Sequence, residues 1–143
     1  MKYDDMSWHS GGDFPADLPP EAGATHTGMF VAWCLLNGLG GELHTEEFPD
    51  TLEKLRERKL TPGGFLIEAC DGKFTDEDLG SEGNAFTEAY FDFSTGEYLA
   101  DYEGCLGAPG GSLYAVPDTW DNFDKLAPVI SNRFESWKKH GSA

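Results

Sequence analysis

The sequence predicts a mainly α protein, a compact irregular helical bundle with an ordered N-terminal arm and at most one short β element. Three observations carry this. Residues 25–39 are apolar on nearly every side of a helical wheel, the mark of a helix surrounded by protein. A closing segment repeats Trp120, Phe123, Leu126, Ala127, Ile130, Phe134 and Trp137 at helical spacing. The best strand candidate, Leu113-Tyr114-Ala115-Val116, is only four residues long, too short to define a sheet.

The elements follow in chain order. Residues 1–23 carry Gly11-Gly12, Pro15, Pro19-Pro20 and Gly23, which break any long helix or strand. Tyr3, Trp8, Phe14 and Leu18 make this an arm that lies across the helical body of residues 24–140. The central helix spans Thr25 to Leu39 and stops at Asn37-Gly38 and Gly40-Gly41. A second helix starts near Pro49, with Leu52 and Leu55 inward and a charged outer face. A third begins at Thr61-Pro62, turns Phe65, Leu66 and Ala69 inward and stops at Gly72. Thr75-Asp76-Glu77-Asp78 has the form of a capping box. Phe86, Ala89, Tyr90 and Phe93 give another helix, continued by Tyr98, Leu99 and Tyr102 after a break at Ser94-Thr95-Gly96. Asp118 caps the closing helix, which Pro128 should kink or divide.

With 143 residues, 39% of them hydrophobic and 13% aromatic, one domain spanning 1–143 can fill a core without disulfides or metals. The 26 acidic and 10 basic residues leave a formal charge of −16, which disfavours nucleic acid and anionic membrane surfaces as partners. A basic protein partner fits that charge, which also serves simple solubility. Cys34, Cys70 and Cys105 form no CxxC pair, the N-terminus lacks a signal-peptide pattern and no run of about 18 apolar residues occurs, so a cytoplasmic location is expected.

Several constellations bear on chemistry. Cys34 sits between Trp33 and Leu35 and reads as an inert core thiol. His9, His26, His44 and His140 lack HExxH spacing, so no metal or cofactor is expected, with His44 and His140 exposed and His26 a neutral ring bonded to the arm. Asp71 to Glu82 has the length of a calcium loop, but Lys73 and Asp76 occupy positions that need an oxygen ligand and a glycine. The loop from Gly107 to Ser112 lacks the Gly-Lys-Ser/Thr of a phosphate cradle. Tyr3, Asp4, Asp5, Ser7, Trp8, His9 and Asp13 place acid, base and aromatic groups within eleven residues. They suit either acid–base work or a structural lock in which Trp8 fills a groove.

Lys2-Tyr3-Asp4-Asp5, Ser7-Trp8-His9, Gly11-Gly12-Asp13-Phe14-Pro15 and Ala24-Thr25-His26 with Gly28-Met29-Phe30 resemble the opening of a family of small acidic bacterial proteins of unknown function. Cys70-Asp71-Gly72-Lys73-Phe74, Glu82-Gly83-Asn84, Trp120, Phe123 and Trp137 extend the likeness over nearly the whole chain. The resemblance implies no reaction and no catalytic residue. By analogy of size and acidity it is similar to immunity proteins that neutralise a toxin of the same cell. The leading expectation is therefore a cytoplasmic immunity protein that meets a basic toxin through Glu42, Glu46, Glu47, Asp50, Asp76, Glu77, Asp78 and Glu82. The alternative is a small enzyme or ligand-binding protein with a concave site at Asp4, Asp5, His9 and His26.

Overall fold

Helix α1 (Thr25–Leu36) runs through the middle of the protein, and every residue from Thr25 to Leu35 is buried. The computed structural model describes residues 2–9, 18–92, 96–107 and 113–140. Around α1 lie α2 (Pro49–Arg56), α3 (Pro62–Cys70), α4 (Ser81–Tyr90), α5 (Tyr98–Leu106) and α6 (Trp120–His140). The fold is mainly α, as expected. No helix among the described residues is long and apolar enough to cross a membrane.

The physical reason α1 is apolar all round is that it has neighbours all round. Phe30 meets the rings of Phe74, Phe86, Tyr90, Phe91 and Tyr98 at centroid distances of 5.0 to 6.0 Å. Trp33 lies between Phe86 and Phe134 and donates its indole N–H to Ser131 Oγ at 3.0 Å on α6. Such rings supply most of the buried area and orient one another edge to face. On the side facing α3, a Cβ on Gly28 would sit 2.6 Å from the Pro62 carbonyl oxygen and 2.7 Å from Gly63 Cα. Only glycine allows the two helices to approach this closely.

The β structure lies elsewhere than at Leu113–Val116. That segment forms a 3-10 turn at Leu113–Ala115, because among the described residues no strand lies beside this four-residue run to take its ladder hydrogen bonds. The strands are β1 (Lys2–Asp5), inside the arm, and β2 (Lys73–Thr75), paired antiparallel as Lys2↔Thr75, Asp4↔Phe74 and Asp5↔Lys73. After β1 the chain makes a 3-10 turn at Met6–Trp8, and Met6 N–H bonds to Gly72 O at 2.7 Å. Gly72 has φ +75°, where the turn after α3 needs glycine's left-handed freedom.

The capping signals fall where their chemistry predicts, with one exchange. Thr61 accepts from Gly64 N–H at the start of α3, and Thr75 and Asp78 form a complete capping box. Asp118, expected to cap α6, instead accepts from Thr61 Oγ1 at 2.6 Å and Gly63 N–H at 2.9 Å, so it ties the approach of α6 to α3. Thr119 takes the α6 role through Asn122 N–H at 3.2 Å. Pro128 does not divide α6. It faces outward, while buried Leu126 and Ile130 on either side keep the stripe docked.

Candidate functional site

The strand β1, the turn after it and the first turn of α1 bring three sequence-predicted residues together. Successive strand residues leave opposite faces, so Asp4 points toward α1 and Asp5 does not. The Asp4 carboxylate, 1% exposed, accepts from Thr27 Oγ1, lies 2.7 Å from His9 Nε2 and 3.6 Å from His26 Nε2. On its other side His9 Nδ1 meets the Tyr114 hydroxyl at 2.7 Å. This geometry suits an Nε2–H donating to Asp4 while Nδ1 accepts from Tyr114. Burial and the Asp4 charge push the Tyr114 hydroxyl up, which keeps it a donor.

His26 is fully enclosed, and burial drives its pKa down to about 4, against Asp4, which raises it. At neutral pH it is therefore an uncharged ring, stacked edge-on to His9 at 4.7 Å and to Tyr102 at 6.3 Å. The Tyr102 hydroxyl is buried with no hydrogen-bond partner among the described residues. An apolar cavity of about 440 Å³ opens on this side, walled by Leu18, Pro19, Ala22, Ile67, Tyr114 and Val116. Tyr114 thus belongs both to the cavity wall and to the hydrogen-bonded chain leading to Asp4.

Asp5 leaves the expected set. It accepts from Lys2 Nζ at 2.7 Å, Ser7 N–H at 2.9 Å and Ser7 Oγ at 2.8 Å, and the lysine and serine together hold its carboxyl down at about 2. Its work is to cap the 3-10 turn. Trp8 fills no groove. It is 56% exposed, with Lys2 Nζ 5.2 Å over its ring. Asp13 and Phe14 lie outside the described residues, as does the His140 side chain.

A second cluster contradicts two expectations. His44, read as exposed, is 1% exposed, and Asp78, read as part of an acidic surface, is 2% exposed. The cause is their mutual bond, His44 Nε2 to Asp78 Oδ1 at 2.8 Å, which satisfies two groups that could not be buried singly. The residue carrying His44 belongs to a π-helical turn, Leu43–Glu47, held to the segment after β2 by the Gly40↔Leu79 bridge and by Gly41 N–H to Asp78 O at 3.0 Å. Cys70 Sγ lies 3.6 Å from Asp78 Oδ1 and 3.8 Å from His44 Nε2. Burial first, then the Asp78 charge, pushes this thiol well up, so it is no nucleophile. Burial does the same to Cys34, in keeping with an inert core thiol. In each of the sets Asp4, His9, His26 and His44, Cys70, Asp78 the donor atoms lie within 4.8 Å of one another.

The same bridge places the two acidic linkers side by side. Glu42, Glu47 and Glu77 line one open groove of about 620 Å³, and Glu46, Asp50 and Asp76 are exposed nearby in the chain. Glu82 is exposed and 3.9 Å from Lys138 Nζ. Sequence reasoning missed Tyr114, Thr27 and the His44–Cys70–Asp78 cluster. For the cluster, a signal existed in the capping box that fixes Asp78 eight residues after Cys70, but nothing local points to His44.

A family model described as "domain of unknown function (DUF7832)" matches residues 2–116. No curated protein and no solved structure matches the chain.

Proposed function

The chain belongs to the DUF7832 family, a family of unknown function, and from the junction of arm and central helix we propose a small-molecule-binding protein with acid–base capability. The observation that carries this is the continuous chain Tyr114, His9, Asp4, with neutral His26 beside it, ending at the wall of the apolar cavity. A ligand in that cavity meets mostly carbon, with Tyr114 in the wall and Glu21, Thr25 and Asp118 as further polar residues of the lining. A proton taken from the ligand by Tyr114 Oη is relayed as the hydroxyl hands its own proton to His9 Nδ1, and the buried Asp4 carboxylate compensates the imidazolium formed at His9. Convergent polar groups beside an apolar pocket are the usual make-up of such sites. The test is a fragment screen by protein NMR with Tyr114→Phe and His9→Gln alongside. Bound fragments should shift Ile67, Tyr114 and Val116 and weaken about tenfold or more in either variant, the loss expected for one well-placed hydrogen bond to a polar group. Fragments that ignore the cavity, or bind both variants as tightly, refute the reading.

A second reading keeps its own support. The groove lined by Glu42, Glu47 and Glu77, with Phe48 58% exposed in the same acidic run, suits a basic protein surface with one apolar anchor. On this reading the protein is a cytoplasmic immunity protein that covers a basic toxin. Co-expression with the neighbouring gene product should give a complex and relief of growth arrest. Reversing Glu46, Glu47 and Asp76 to Lys should slow association at low salt, and an unchanged rate excludes this edge as the interface.

A further inference from the structure

Apart from the arm and its cavity, three chain segments converge on one buried point: the π-helical turn with His44, the last residue of α3, Cys70, and the 3-10 turn Asp76–Asp78. We propose that His44 Nε2, Cys70 Sγ and Asp78 Oδ1 form a binding site for a divalent transition cation of zinc's class. The separations are 2.8 Å between nitrogen and oxygen, 3.6 Å between sulfur and oxygen, and 3.8 Å between sulfur and nitrogen. Tetrahedral zinc with bonds of about 2.0–2.1 Å to N and O and 2.3 Å to S requires donor separations of roughly 3.3–3.6 Å. The sulfur edges are already that long, and only the nitrogen–oxygen edge must open, by about half an ångström on the same bond lengths.

The donor set fits the ion chemically. One thiol, one imidazole and one carboxylate suit a borderline-soft divalent metal better than magnesium or calcium, which take oxygen donors. The surroundings supply orientation and charge. Thr75 N–H holds Asp78 Oδ2 at 2.8 Å, which leaves Oδ1 aimed at the other two donors. Cys70 is at the C-terminal end of α3, the negative end of the helix dipole, and Glu42, Glu47 and Glu77 line the groove beside Gly41 and Leu79. His44 Nδ1 is buried without a hydrogen-bond partner among the described residues, so the ring has a nitrogen that can carry the proton Nε2 gives up. Binding then costs one proton: the Cys70 thiol loses H⁺ to solvent as sulfur bonds the metal, and no redox step is involved.

Cobalt(II) is the probe, because a thiolate ligand adds a sulfur-to-cobalt charge-transfer band that nitrogen and oxygen ligands do not give. The full chain, stripped with chelator and kept reduced, is titrated with Co²⁺ and then Zn²⁺. One equivalent should raise the charge-transfer band, zinc should bleach it, and the thermal midpoint should rise with either metal. The band should vanish in Cys70→Ser and weaken at least tenfold in apparent affinity in His44→Gln, yet persist in Cys105→Ser and in His9→Gln. If wild-type protein shows no such band with a stoichiometric excess of cobalt, the proposal is overturned without any need for a variant to fold, and a band that survives in folded Cys70→Ser overturns it as well. Cobalt binding that is lost in His9→Gln but carries no thiolate band would place the metal at the arm instead and equally refutes it.

Discussion

Gly28→Ala is the perturbation whose sign separates local from tertiary reasoning. In an exposed helix interior, replacing Gly by Ala gains about 1 kcal/mol of helix propensity. Position 28 is different, because the added Cβ would lie 2.6 Å from Pro62 O, 2.7 Å from Gly63 Cα and 2.8 Å from Gly63 N. All three are backbone atoms, so no side chain can swing aside. Relief requires α1 and α3 to part by about 1 Å, and overpacking of a tight core costs about 1–3 kcal/mol, here at the upper end. The net expectation is a loss of about 2 kcal/mol, or about 5–8 °C in thermal midpoint for a chain of this size. Gly28 also follows His26 and Thr27, so the displaced helix should loosen their hold on Asp4. Urea unfolding followed by tryptophan fluorescence gives the free energy directly. A variant as stable as wild type, or more so, would show that the α1–α3 crossing is not as tight as described.

Further expectations can be read from the same packing. Trp33→Ala should cost about 3–5 kcal/mol, measured by chemical unfolding, since it removes a ring wedged between Phe86 and Phe134; a loss below about 1 kcal/mol would misplace the core. His26 lies at about 4 in the folded protein and near 6.5 unfolded, so the unfolded chain binds the extra proton between those values. Its contribution to stability is complete above pH 6.5 and falls by up to about 3 kcal/mol as pH drops to 4. The difference in pH dependence of stability between wild type and His26→Gln should show that slope, and parallel curves would contradict it. Asp78→Ala should destabilise by about 3–5 kcal/mol because it strands buried His44, whereas Glu46→Lys and Asp76→Lys should each stay within about 0.5 kcal/mol. Equal effects at all three positions in thermal melts would mean that Asp78 is as exposed as its neighbours.

Much of this protein is legible in its sequence, and the reason is range. The all-round apolar run of α1, the Thr61-Pro62 start of α3, the capping box at Thr75 and the stripe of α6 are signals that act within about one helical turn, so spacing alone reveals them. The resemblance to a family of unknown function is consistent with the match of residues 2–116 to a family model that is likewise of unknown function. What spacing could not reveal are pairings between distant segments. β1 finds β2 some seventy residues away, and that pairing turns Asp4 toward α1 and leaves Asp5, also buried, to Lys2 and Ser7. His9 meets Tyr114 across 105 residues, and His44 is drawn out of solvent by Asp78 across 34. A polar side chain gives no sign in sequence of whether it will be solvated or paired, because burial is favourable only when its partner arrives. Tertiary structure decides that arrival, by bringing a donor and an acceptor from separate elements within 3 Å in a place that water does not reach.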